Sequence, residues 1–365
     1  MTWRTEHVGS LLRPPELMNL RLALLQGQGD PGALARLEDE AILQVLERQR
    51  ELGLDVVGDG EFRRFSFIGE IAASVSGFAF GQLPNPDWFT AEGRDNPGAN
   101  AMIAAERLEP RRRIAQREAA FLGAHAAGPF KVTLPSPLVI AQAGWTPERS
   151  SAAYPRRADL MWHVADLLRE EIAALAAEGV PYVQIDNPGL AHYLDPALAE
   201  RARGVGIEID IPLEEALAAD HHCVKDLPEE GPVVGLHLCR GNWRSAWLAQ
   251  GGYEPVAEAL FSLPRVNRLL LEFDTERAGS FEPLRLVPGD KTVVLGLVST
   301  KQGSLEDEEA LLRKVEAASR HLPLERLAIS PQCGFATSIP GNRITPEEQW
   351  AKLERVVSLA ARLWA

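Results

Sequence analysis

Val233-Val234-Gly235-Leu236-His237-Leu238-Cys239 is an apolar run that closes on two metal-binding side chains. It does not alternate apolar with polar residues, so both faces are expected to be buried, as in a parallel strand between helices. Seven further runs of this kind, bounded by turn residues, lie to either side. Upstream are His7-Val8-Gly9, Leu54 to Gly58, Phe130 to Leu134 and Tyr182 to Asp186; downstream are Arg268 to Phe273, Thr292 to Val298 and Leu327 to Ser330. Segments with apolar residues three and four apart come between them: Ala33 to Leu52, Ala158 to Glu178, Tyr253 to Leu263, Glu306 to His321 and Pro346 to Trp364. Eight strands alternating with helices predict an α/β fold, a (β/α)8 TIM barrel. A doubly wound sheet is the alternative, but no Gly-x-Gly-x-x-Gly follows the first strand. Phe65 to Gly128 is too long for one crossover helix and reads as an insertion after the second strand. Its middle, Gly81 to Asn100, is rich in Gly, Pro, Asn and Asp and is expected to be a loop over one barrel face. With no internal repeat or linker, residues 1–365 read as a single domain.

The 365 residues are 45% hydrophobic and 24% charged, enough to bury a large core. No run of 18 apolar residues is present, and the stretch from Met1 to His7 lacks a secretory pattern, so a cytoplasmic protein is expected. Three cysteines in a chain this long argue against a disulfide framework. A net charge of −13, from 38 basic and 51 acidic residues, opposes nonspecific binding to nucleic acid or anionic lipid.

The polar residues gather at the C-terminal strand ends, the face that holds the active site in barrel enzymes. They are Gly9-Ser10, Asp59-Gly60-Glu61, Asp186-Asn187, His237 with Cys239, Glu272 with Asp274, Lys301, and Cys333. His237 and Cys239 are two apart on a strand and so point to one side. Glu272 ends the next strand and Cys333 follows the last. One imidazole, two thiols and one carboxylate suit zinc better than magnesium or calcium, and the absence of Cys-x-x-Cys hooks argues against a zinc knuckle. From residue types alone, a catalytic zinc, a structural zinc and a buried polar cluster stay open. So do a salt bridge from Glu61 to Arg63 or Arg64, and a helix cap for Asp186. Arg240 and Arg277 are candidates to anchor an anion, although Arg277 has Asp274 and Glu276 as possible partners. Trp88 and Phe89 are candidates to cover the site. His221-His222-Cys223 is a decoy, because neighbours on a helix point in different directions.

The chain resembles the cobalamin-independent methionine synthase family, in its catalytic C-terminal barrel and its short bacterial relatives. The resemblance is carried by His7-Val8-Gly9-Ser10, Asp59-Gly60-Glu61-Phe62-Arg63-Arg64, Gln184-Ile185-Asp186-Asn187-Pro188, His237-Leu238-Cys239-Arg240-Gly241-Asn242, Leu271-Glu272-Phe273-Asp274 and Pro331-Gln332-Cys333-Gly334-Phe335. It implies a Zn2+ site at His237, Cys239, Glu272 and Cys333. It further implies that Ser10 with its neighbouring backbone at Gly9, Glu61 and Asp186 bind the amino-acid end of homocysteine; Asn187 is a further substrate-binding candidate, and Lys301, as a proton donor or anion anchor, joins Glu61 and Asp186 as a catalytic candidate. The implied reaction is zinc-dependent methyl transfer to the homocysteine thiol, from 5-methyltetrahydrofolate or a methyl-carrier protein. Three departures stand out. Asn187 replaces a family glutamate, Lys301 stands at or near a family histidine, and the tryptophan expected beside a pterin is missing at its usual spacing, with Trp145 slightly beyond. Alkyl transfer to another thiol, such as an epoxide:coenzyme M-type reaction, is the competing enzymatic expectation. A zinc-stabilised binding protein is the non-enzymatic one.

Overall fold

The computed structural model describes residues 3–96 and 100–364. Its centre is a six-stranded parallel sheet, and four further strands form the insertion. In chain order the strands are β1 (Val75–Gln82), β2 (Trp88–Thr90), β3 (Gly93–Asp95), β4 (Asn100–Pro110), β5 (Lys131–Pro135), β6 (Tyr182–Asp186), β7 (Val233–Leu238), β8 (Arg268–Glu272), β9 (Thr292–Val298) and β10 (Leu327–Pro331). The central sheet runs β10-β9-β8-β7-β6-β5, each strand parallel to its neighbour. Six of the eight expected strands are therefore present as ladders, nearly every residue buried, as continuous apolar runs require.

The other two expected strands are reduced to single bridges. Thr5 pairs with Ile329, Glu6 with Val56, and Val57 with Phe130, all in parallel. The pairing of the first segment thus falls at Thr5-Glu6, just before the expected His7-Val8-Gly9. Side chains supplement these few backbone bonds: Asp55 Oδ2 accepts from the Arg4 and Thr5 amides at 2.6 and 3.0 Å, and Thr5 Oγ1 accepts from the Asp55 amide at 3.0 Å.

Helix ends follow their capping residues. Pro31–Leu52 starts at Asp30, whose carboxylate accepts from the Gly32 and Ala33 amides, and stops at Gly53 with φ 83°. Pro346–Leu363 opens with a capping box between Thr345 and Glu348. The helices Arg157–Ala177 and Glu308–Ser319 fall close to their expected positions. The expected helix from Tyr253 to Leu263 shrinks to Ala257–Phe261. Gly251, Gly252 and Pro255 disfavour helical backbone before it, and Tyr253 is buried elsewhere. No helix among the described residues is long and apolar enough to cross a membrane.

The insertion follows the bridge at Val57 and forms an arm, whose middle, expected to be a loop, carries short strands. β1 and β4 form its antiparallel shaft, and β2 and β3 a small hairpin within the stretch from Gly81 to Asn100. Residues 97–99 of that stretch lie outside the described ones. The shaft changes register between Ser76 and Phe78. There Gly77 has φ 95°, and a Cβ would meet the Arg107 carbonyl at 2.7 Å, so only glycine fits the bulge.

Candidate active site

His237 lies in β7 and Cys239 follows its last residue; Glu272 ends β8, and Cys333 comes two residues after β10. The four side chains are buried, and their ligand atoms all lie within 4.8 Å of one another. Cys239 Sγ and Cys333 Sγ are 3.4 Å apart. His237 Nδ1 faces the Leu270 carbonyl at 3.2 Å, which makes Nδ1 the protonated nitrogen and leaves Nε2 a lone pair. Nε2 is buried without a hydrogen-bond partner. A buried, unpartnered imidazole nitrogen beside two sulfurs and a carboxylate oxygen is a donor set able to hold a divalent metal ion.

The surroundings act on the four donors in different directions. The hydrogen bond from Cys239 brings the Cys333 thiol down to about 5 against its burial, with His237 adding to the effect. The same bond, together with burial, pushes Cys239 up. Burial would raise the Glu272 carboxyl, but Arg277, Lys301 and Arg240 outweigh it and hold the group below its ordinary value. Glu272 Oε1 accepts from the Arg240 amide at 3.2 Å, and Arg277 Nη2 lies 3.5 Å from Oε2. The Gly241 amide donates to Cys239 Sγ at 3.2 Å.

Gly9, Ser10, Glu61, Asp186, His237, Cys239 and Cys333 line one cavity of about 330 Å3. Ser10 Oγ accepts from the Ala336 amide at 3.2 Å and the Phe335 amide donates to the Ser10 carbonyl at 2.7 Å, tying the first segment to the loop bearing Cys333. Glu61 Oε1 accepts from Thr133 Oγ1 at 3.0 Å, whereas Oε2 is buried without a partner. Asp186 accepts from Gln184 Nε2 at 2.7 Å, and burial raises its carboxyl to about 7. Asn187 and Lys301 lie outside the cavity lining. Asn187 Nδ2 donates to Asp220 Oδ2 at 2.5 Å, behind the strand end. Lys301 Nζ donates to the Gly241 carbonyl at 2.9 Å, to Asn242 Oδ1 at 3.1 Å and to the Ala246 carbonyl at 3.4 Å.

The arm supplies cavity walls, of which only Trp88 was singled out in the sequence. Leu83, Pro84, Pro86 and Trp88 face the cavity, together with His192 and Asn242. Phe89 is bonded to the Trp247 backbone in both directions, at 2.8 and 2.9 Å, and stacks on its ring. Trp145 is elsewhere, its Nε1 donating to the Tyr154 carbonyl at 2.9 Å. In the decoy, His221 faces the Pro264 carbonyl, His222 the Asp166 carboxylate and Cys223 the Ala219 carbonyl, so the three diverge.

Residues 3–361 match the family model described as the catalytic domain of cobalamin-independent synthase. The chain belongs to this family. It is thereby a methyltransferase of the methionine synthase kind. YxjG of Bacillus subtilis is 33% identical over 99% of this chain and 95% of its own length. The methionine synthase of Pyrococcus abyssi is 24% identical over 91% of the chain and 86% of its own length. Among solved structures, a B12-independent methionine synthase from a Shewanella species, in complex with selenomethionine, superposes with a TM-score of 0.76 at 20% identity, covering 99% of this chain and 97% of that one.

Proposed function

We propose that this chain is a cytoplasmic, zinc-dependent methyltransferase that methylates the thiol of L-homocysteine to give methionine. In this reading residues 1–365 form one (β/α)8 barrel, with the bridged segments at Thr5-Glu6 and Val56-Val57 as its first two strands. The observation that carries it is the composition of the cavity. Three of the four clustered donors, His237, Cys239 and Cys333, and two buried carboxylates, Glu61 and Asp186, line one space whose described lining contains no lysine or arginine. Such a space suits a thiol that carries an ammonium group. It disfavours an anionic thiol such as coenzyme M, which would need a cation there.

His237, Cys239, Glu272 and Cys333 would hold Zn2+, which supplies the Lewis acidity that keeps a bound thiol ionised near neutral pH. Glu61 and Asp186 receive the ammonium, and a positive charge beside Asp186 draws its carboxyl back down from about 7. Ser10 and its neighbouring backbone receive the carboxylate. Trp88, Phe67 and Ile68 wall the thiol from water, so the methyl donor, 5-methyltetrahydrofolate or a methyl-carrier protein, meets a positioned and poorly solvated sulfur.

Zinc-edge X-ray absorption on the metal-loaded protein, with and without L-homocysteine, tests this reading. One additional sulfur neighbour on adding homocysteine is expected. An unchanged spectrum on fully loaded protein would sink the assignment.

A further inference from the structure

We infer that Thr133, a β5 residue outside the ligand cavity, sets the preference for thiols that carry an α-amine, by aiming Glu61. The inference rests on the acceptor reading above. Glu61 has φ 58°, in the left-handed region that a non-glycine residue occupies only where its surroundings hold it. Its backbone is fixed on three sides. Its amide donates to Asp59 Oδ1 at 2.9 Å, and its carbonyl accepts from Arg13 Nη2 at 3.1 Å and from the Arg64 amide at 3.0 Å.

Its side chain has one fixed and one free oxygen. Thr133 Oγ1 donates to Oε1 at 3.0 Å. Oε2 has no partner, and the residue lines the cavity. The hydroxyl has a single hydrogen, and its direction is itself determined. Arg64 Nη1 donates to Thr133 Oγ1 at 2.9 Å, so the hydroxyl hydrogen is left for Glu61. Arg64 in turn is held by two bonds to Glu118 and one to the Thr133 carbonyl, all buried. On the opposite side Gly9 leaves room for the carboxylate, since a Cβ there would meet Glu61 Oε1 at 2.7 Å. Arginine, threonine and glycine thus fix one oxygen of the carboxylate and leave the other without a partner, on a residue that lines the cavity. Thr133 is not among the residues lining the cavity and acts through Glu61, as a positioning residue.

The test compares L-homocysteine with 4-mercaptobutanoate, which keeps the thiol and carboxylate and lacks the amine. Calorimetric affinities are measured on the zinc-loaded wild type, Thr133→Val and Thr133→Ser. The wild type should prefer homocysteine. Thr133→Val should lose about ten- to hundredfold of that preference, the worth of a hydrogen bond to a charged group, with affinity for the desamino thiol unchanged. Thr133→Ser, which keeps the hydroxyl, should retain the preference. Should Thr133→Val not fold, Gly9→Ala displaces the same carboxylate from the other side and should lower the preference alike. A preference that survives in Thr133→Val, or equal weakening of both thiols, would overturn the inference while leaving the acceptor reading intact. A wild type that does not distinguish the two thiols would overturn both.

Discussion

Glu272 differs from the other three clustered residues in being backed by an arginine side chain. Arg277 Nη2 lies 3.5 Å from its Oε2 and is itself fixed by Asp274, at 2.8 and 3.0 Å from the two carboxylate oxygens. Of the two partners open to Arg277 in the sequence, the structure selects Asp274. With Arg277→Met the burial of Glu272 is less opposed, its carboxyl rises, and protons compete better with the metal. Zinc affinity should fall about 10–100-fold, as for other supports of metal ligands, in competition with a chromophoric chelator. Unchanged affinity would mean that the Arg240 amide alone suffices to hold the carboxylate. The cluster of four candidate ligands was legible because strand periodicity fixes which neighbours share a side, and few residue types bind zinc. Arg240 was not. Its side chain is fully buried and donates to Tyr253 Oη and the Gly251 and Ala278 carbonyls, acceptors from two stretches on either side of β8. Thr133 was equally hidden, because a threonine in an apolar strand gives no sign of the arginine behind it.

At the scale of elements, Lys301 links two loops. It follows β9 and donates to three oxygens of residues 241–246, the loop that leaves β7 through Cys239. Lys301→Met should free this loop, giving faster proteolysis within 241–246 and about tenfold slower methyl transfer. The shape of the pH–rate profile decides between roles: a tether leaves it unmoved, whereas loss of a proton donor removes its alkaline limb. The strands from Lys131 onward could be read in the sequence because buried parallel strands are continuous apolar runs. The first two could be located but not their pairing, since each joins its neighbours through single bridges and so leaves little pattern. The strands between Gly81 and Asn100 were missed because the glycines, prolines and asparagines there mark turns. The arm's strands pair chiefly with each other and are buried only at scattered positions, such as Ile103, Ala104 and Leu108 of β4, so no continuous run shows: β1 is mostly half-buried, and Phe80 is 83% exposed.

Across the whole molecule, one buried carboxylate offsets the weak pairing of the first segment. Glu6 reaches inward from the bridge to Val56. Its Oε2 accepts from Lys131 Nζ on β5 at 2.7 Å and Tyr182 Oη on β6 at 3.2 Å, while Oε1 accepts from Arg268 on β8 at 2.7 and 3.0 Å. These bonds cross the sheet interior and fasten a segment with few ladder bonds to three strands at once. Glu6→Gln would leave Lys131 and Arg268 buried beside a neutral amide, a loss of about 3–5 kcal/mol for breaking a buried pair. Burial alone would raise the Glu6 carboxyl, but Lys131 and Arg268 lower it to about 2 from an ordinary 4.5. A carboxylate depressed on folding contributes stability that is complete above the unfolded value and lost as pH falls through the folded one. The gap between wild type and Glu6→Gln in urea unfolding should therefore be constant near neutrality and close between about pH 4.5 and pH 2. A gap independent of pH would show that shape, not charge, holds the segment. Because Gly9 and Ser10 follow three and four residues later, the same variant should also weaken homocysteine binding at neutral pH. That loss ties the integrity of the candidate site to an ion cluster on the far side of the strands that carry it.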